Sequence, residues 1–398
     1  MKRFIEKAVK WVLAASGFVT SIVILLIIGF LFTEGAGLFK EKIIEEGYVL
    51  ALNRENNVRE LTAAQIKAVF DEDATNWKEF GGPDLQIVTF RLEDADDYFT
   101  EEEMGSQYEN AGSLITSLIE ANPGMVAFVP ESMIPEDANL NFIEDKSISP
   151  KEVFAGSERF PTATPAPLFG MWPLLAGTLW VSLFAILFAL PFGISIAVYM
   201  SEVASERVRG FLKPVIELLN GIPSVVYGFF GLIVIVPLLQ QVFGLPVGEG
   251  GLAGSIVLAI MALPTIVTVA EDAMRNCPRS LREASLALGA THWQTVYRVV
   301  IPSSMSGIAS GVVLGIGRAV GETMAVLMVT GNAAVVPSSI LEPLRTIPAT
   351  IAAELGEAPA GGAHYQSLFL LGVILFFITF FINLCVEYIS SRNKAKNS

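Results

Sequence analysis

SLREASLALGATHWQTVYRVVIP, Ser280 to Pro302, is a polar passage set between two long apolar runs. Ser280-Leu-Arg-Glu283 and Thr291-His-Trp-Gln294 both fit the capping box, in which a hydroxyl caps a helix start and a Glu or Gln three residues on reaches back. Gly289 between them suits the left-handed residue that ends a helix, and Pro302 suits the first turn of the next one. The passage thus predicts a short helix, a glycine turn and a second short helix before an apolar span begins. Its small residues Ala284, Ser285, Ala287 and Ala290 would admit close approach by another protein. On shape alone, an amphipathic loop at a membrane surface is an equally good reading.

The flanking runs make the membrane explicit. Of 398 residues 52% are hydrophobic and 17% charged, against about 25% charged in soluble domains. A bilayer core of about 30 Å needs roughly 20 apolar residues per helix. Six stretches qualify, near 11–32, 173–200, 218–239, 252–270, 305–329 and 368–389. The first follows Lys2, Arg3, Lys7 and Lys10 but is too long for a signal-peptide core and lacks a clear A-x-A site, so it is expected to be retained. Basic residues cluster at the N-terminus, at Arg207, Arg209 and Lys213, at Arg275, Arg279, Arg282 and Arg298, and at Arg392, Lys394 and Lys396. With six spans all of these fall on one side, and the positive-inside rule makes that side, with both termini and the 280–302 loop, cytoplasmic.

Residues 41–160 differ in kind. They hold 26 Asp and Glu against 9 Lys and Arg, a net −17 where the whole chain carries −14, so the rest stands at +3. LTAAQIKAVF reads as a helix capped by Thr62, LQIVTF as a strand, and SLITSLIEANPGMVAFVP as helix, turn and strand. An acidic α/β insert outside the cytoplasm, between the first two spans, is the expectation. PTATPAPLFG, with three prolines, reads as an extended linker that closes it off.

Several classes are excluded. Cys277, Cys385, His292 and His364 have neither disulfide-framework nor metal-ligand spacing. No H-E-x-x-H, G-x-S-x-G or G-x-x-x-x-G-K-[ST] is present, so neither an intramembrane enzyme nor a self-sufficient ATPase is indicated, and no cofactor or nucleic-acid partner is expected. A membrane receptor or sensor whose acidic ectodomain binds a ligand remains as the rival class.

Glu283-Ala284-Ser285, Gly289 and, after nine residues, Val299-Val300-Ile301-Pro302 resemble the cytoplasmic signature of ABC importer permeases, E-A-A-x3-G-x9-I-x-L-P. ELLNGIPSVVYGFFGL, GIGRAVGETMAVLMVTGN and TIPATIAAELGEA look more narrowly like the PstC-type phosphate importer permeases. That resemblance implies an all-α polytopic fold with six transmembrane helices, in domains 1–40, 41–160 (the insert) and 161–398. It also implies a coupling helix in the 280–302 loop that fits an ATPase cleft, with Glu283, Ala284, Ser285, Gly289 and Pro302 as its marks. The implied partners are a homologous permease, two ATPase subunits and an extracytoplasmic phosphate-binding protein, in a prokaryotic cell membrane. LTAAQIKAVFDEDATNWKEFGGPDLQIVTFR and GSLITSLIEANPGMVAFV resemble pieces of such a binding protein, but Arg91 is followed by Leu-Glu-Asp-Ala-Asp-Asp where that family has Ser-Gly-Thr. Carboxylates there would repel phosphate.

Arg318 is the most costly residue in the apolar runs, about 20 Å into the fifth span at helical rise, where an Arg costs about 2.5–3.5 kcal/mol. Glu322 would lie one turn on, on the same face. The pair is either a neutralised structural contact or part of a path in which Arg318 offers its fork to phosphate, and the resemblance, whose motif includes R-x-x-x-E, favours the path. Gly307, Gly311 and Gly315, and Gly317 and Gly321, repeat at a spacing that lets helices approach, whether from a partner permease or from within this chain.

Overall fold

The computed structural model describes residues 2–105 and 108–397. The side chains of Lys2, Arg3, Arg392, Lys394 and Lys396, used in the orientation argument, lie outside what is described. By contacts the chain divides into two units: residues 1–35, 172–359 and 368–398 in one, and residues 36–171 and 360–367 in the other.

Among the described residues six helices are long and apolar enough to cross a membrane: Val9–Lys40, Trp172–Val203, Ser224–Phe243, Gly251–Arg275, His292–Val320 and Ala363–Cys385, all in the first unit except for the end of the first and the start of the last. Gly251–Arg275 is the central one. Ala253, Val257, Met261 and Ile266 along it are buried against Val181, Ala185 and Ala189 of the second span, Tyr227 and Val236 of the third, and Ala319 of the fifth. Gly307, Gly311 and Gly315 face it as well. A Cβ on Gly307 would stand 2.3 Å from Ala273 Cβ, and one on Gly315 2.9 Å from Ile266 Cγ1. The stripe is therefore filled from within the chain, whereas a Cβ on Gly317 would meet nothing within 4 Å.

Two of the span boundaries that differ from the sequence reading do so for backbone reasons. The third span starts at Ser224, not near Leu218. Pro223 forces Ile222 into extended geometry (φ −70°, ψ 127°), which ends the preceding helix, Glu206–Gly221, with Leu218 inside it. The fifth span stops at Val320, and after Gly321 a separate short helix, Met324–Val329, follows. Wide π-turns at Gly231–Ile235 and Val296–Val300 each end two residues before a proline, Pro237 and Pro302. A proline ring clashes with the carbonyl four residues back, and the extra residue of an i→i+5 turn makes room. Thus Ile301 N–H donates to Val296 O and Val236 N–H to Gly231 O.

The second unit is built on a sheet ordered β2 (Val88–Arg91), β3 (Met125–Pro130), β1 (Tyr48–Leu52), β4 (Asn141–Phe142). β3 runs parallel to β2 and antiparallel to β1, with Leu50 opposite Phe128. Phe90, Ala127 and Val129 from the sheet and Ile115 and Ile119 from helix Ala111–Ala121 form its core. Thr62 and Gln65 make the expected capping box on Ala63–Phe70. The proline-rich linker is not extended: β6 (Leu168–Phe169) folds back antiparallel on β5 (Arg159–Phe160), so this unit outreaches the expected 41–160 at both ends.

Candidate functional site

The 280–302 passage forms a helix, Arg279–Ala287, and a left-handed Gly289 at φ +83°. Gly289 N–H donates to Leu286 O at 2.9 Å and Ala290 N–H to Ser285 O at 3.3 Å, the two bonds of a Schellman ending. Two local expectations are corrected. Ser280 does not cap, because Pro278 starts the helix one residue earlier and leaves Ser280 inside its first turn. The second short helix is not separate: His292–Thr295, with the Thr291–Gln294 capping box intact, runs straight on through the π-turn into the fifth span.

This helix is exposed yet anchored. Glu283 and Ala284 face outward, as do Leu281, Leu286, Trp293 and, at 89% exposure, Leu288. Among the described residues Glu283 has no ion-pair partner. On the inner side Ser285 Oγ meets Thr295 Oγ1 at 2.9 Å, which closes the turn. Arg282 donates to Glu202 Oε2 at 2.6 Å and to Met274 O at 2.7 Å, so one guanidinium ties the helix to the ends of the second and fourth spans. An apolar-plus-carboxylate surface held by rigid ties is a surface on which another protein can push.

Beside it Glu271, fully buried, is bracketed by cations: Lys213 Nζ at 2.8 Å, Arg209 Nε at 3.1 Å and Arg275 Nη1 at 3.6 Å. The Arg209 contact lies outside hydrogen-bond geometry and is electrostatic only. Lys213 also reaches Asp272 at 2.7 Å. Burial works against the charge on Lys213, but hydrogen bonds to Asp272 and Glu271 outweigh it and raise its pKa above the ordinary lysine value. The cluster clamps Glu206–Gly221 to the end of the fourth span.

Arg318 and Glu322 are not a pair. Because the helix ends at Val320, Glu322 is not one turn along the same face, and its Oε1 accepts from Ala325 N–H at 3.4 Å, capping the next short helix. Arg318 Nη1 instead donates to Asn220 Oδ1 at 3.0 Å. Asn220 Oδ1 also accepts from Thr265 Oγ1 at 3.2 Å, and Thr265 lies near the middle of the 25-residue span Gly251–Arg275. At 1.5 Å per residue this puts the junction about 15 Å or more from either end of that helix. In the second unit, Arg91 lies over the Phe70 ring at 5.4 Å and donates to Phe70 O at 3.4 Å, while its own N–H is held by Asp94. Its guanidinium is thus occupied within the unit. No cluster of His, Cys, Asp and Glu that could hold a metal occurs among the described residues.

Sequence reasoning missed Asn220, Thr265, Glu271 and Arg282. Arg209 and Lys213 at i,i+4 on an amphipathic helix, with adjacent carboxylates at Glu271 and Asp272, were a signal for the clamp. For Asn220 the only signal was an amide just before the helix-breaking Pro223.

The family model described as "Binding-protein-dependent transport system inner membrane component" matches residues 189–395, and that of the PBP superfamily domain matches 30–150. A "Probable ABC transporter permease protein YqgH" of Bacillus subtilis is 42% identical over 247 residues, covering 62% of this chain and 80% of its own. A "Phosphate transport system permease protein PstC" of Mesorhizobium japonicum is 40% identical over 247 residues, covering 57% and 75%. Among solved structures, an inward-facing MetNI methionine ABC transporter shares 19% identity with a TM-score of 0.44, over 56% of this chain and 97% of that one. With six apolar helices, an anchored, outward-facing helix–glycine turn between the fourth and fifth, and a family model that spans most of them, this multi-pass membrane protein belongs to the inner membrane components of binding-protein-dependent transport systems.

Proposed function

We propose that the chain is a permease subunit of an ATP-driven phosphate importer in a prokaryotic inner membrane. It performs no covalent chemistry. It works with a homologous permease, two ATPase subunits and an extracytoplasmic phosphate-binding protein, with both termini and the 280–302 loop cytoplasmic. The observation that carries this is the exposed helix Arg279–Ala287, closed by Gly289 and tied by Arg282 to two span ends. ATPase closure presses on Glu283, Ala284 and the neighbouring leucines, and the ties pass that motion to the spans. Pro302 and the π-turn before it set where the fifth span begins to follow. Phosphate is supported by the relatives' printed names and by a guanidinium that no carboxylate neutralises among the described residues.

The acidic insert, with Arg91 occupied, serves in this reading to dock or orient the binding protein and does not itself hold phosphate. A receptor is the weaker reading, since it gives no reason for an anchored loop with an outward Glu283. Copurification and reconstitution test the proposal. The expected result is an associated ATPase whose hydrolysis rises with phosphate-loaded binding protein, together with phosphate uptake. A chain that copurifies with no ATPase would sink it.

A further inference from the structure

We propose that Asn220 is a substrate-contacting donor, and that its amide NH2 and the Arg318 guanidinium together form one binding edge for a tetrahedral oxyanion. This rests on the phosphate-permease reading and deepens it.

The amide orientation is fixed by chemistry. Arginine can only donate, so the Asn220 atom 3.0 Å from Arg318 Nη1 is the oxygen. Thr265 Oγ1 at 3.2 Å then donates to that same oxygen. Both donors hold Oδ1, which aims the NH2 group away from them, and among the described residues Nδ2 has no partner. Asn220 is exposed, and Arg318 is half-buried and, among the described residues, makes this one hydrogen bond. Their remaining N–H groups are therefore neighbours that no acceptor among the described residues satisfies, and they are open to a ligand. A tetrahedral oxyanion supplies acceptors in several directions at once and matches the guanidinium fork.

One nearby negative end is already covered. Asn220 lies in the last turn of Glu206–Gly221, where exposed carbonyls would repel an anion. Leu219 O, however, accepts from Tyr227 Oη at 2.9 Å and from Ile222 N–H at 3.3 Å. Glu322 is turned to the Ala325 amide. The edge is left positive, with Thr265 as the residue that positions the amide.

The discriminating variant is Asn220→Asp in the full transporter complex. Asp keeps the shape and strengthens the contact to Arg318, so an Asn220–Arg318 contact that is purely structural and lies off the anion path predicts phosphate uptake within about 2-fold of wild type. A donor role predicts a fall of at least 10-fold, because the NH2 is replaced by a second carboxylate oxygen that repels the anion. Thr265→Val frees the amide to rotate and should cost about 5-fold in uptake. Should Asn220→Asp not assemble with its ATPase, Asn220→Ala decides by the same 10-fold threshold. Wild-type uptake with an Asn220→Asp variant within 2-fold of it overturns the inference and leaves the permease reading standing. A wild-type complex that carries no phosphate overturns both.

Discussion

Gly289→Val isolates backbone conformation from packing. A Cβ at Gly289 would meet nothing within 4 Å, so the whole cost lies in the left-handed φ of +83°. An L-residue pays about 1–2 kcal/mol there, with β-branched residues at the upper end. That cost shifts the turn's population by roughly 5–30-fold. Unwinding the turn would release the bonds from Gly289 to Leu286 and from Ala290 to Ser285, and with them the angle at which Arg279–Ala287 is presented. The spans are untouched, so membrane insertion should survive. Proteoliposome uptake and ATPase copurification should both fall in the order Gly, Asn, Ala, Val, with Val down about 5–30-fold and Asn, which visits the left-handed region readily, close to wild type. Normal uptake by Gly289→Val would refute the reasoning. So would an Asn variant as poor as Val, since glycine would then be needed for space and not for conformation.

Glu271→Ala should leave Arg209 without its carboxylate beside a buried void, while Lys213 keeps Asp272, and should cost about 1–3 kcal/mol, read as a lower unfolding temperature of the purified chain. Replacing Glu271 by Gln, which keeps a hydrogen-bond acceptor for Lys213, should cost less. Gly307→Val drives a side chain into Ala273 and should destabilise by about 1–3 kcal/mol, whereas Gly317→Val, with open space around it, should be near neutral; equal thermal shifts would contradict the packing described. Arg318→Lys keeps the charge and loses the fork, so uptake should drop at least 10-fold while the ATPase still copurifies. Wild-type uptake by that variant would move the anion path elsewhere.

What could be read in the sequence was whatever repeats or obeys local rules. Apolar length located six spans, and φ preference located Gly289, because both depend on residues close in the chain. The misplaced ends at Leu218 and beyond Val320 came from treating apolarity as helicity: Pro223 and the Gly321 break interrupt backbone, not hydropathy. The Ser280 capping box failed because Pro278 competed for the same helix start. Arg318 was found from its cost in lipid, but its partner was not. Its contact with Asn220 joins residues 98 apart, and no period or motif encodes such a meeting. Around Glu271 the i,i+4 spacings were legible, but not that Lys213 and Arg209 would meet this carboxylate from a helix more than fifty residues earlier.

The cations around Glu271 and Glu202 act at two moments in the life of the chain. On the orientation proposed above, while the helices are being threaded into the bilayer and have not yet met, Arg209, Lys213, Arg275 and Arg282 all count toward the bias that holds a loop back from translocation. Once the helices pack, those same four side chains are consumed by Glu271, Asp272, Glu202 and a main-chain carbonyl. Biogenesis and folding therefore draw on one set of charges. Losing an acidic partner leaves the orientation signal whole and weakens only the finished protein, whereas losing a basic one erodes both, so the two kinds of variant should separate in the cell into correctly oriented but unstable chains and chains with inverted loops.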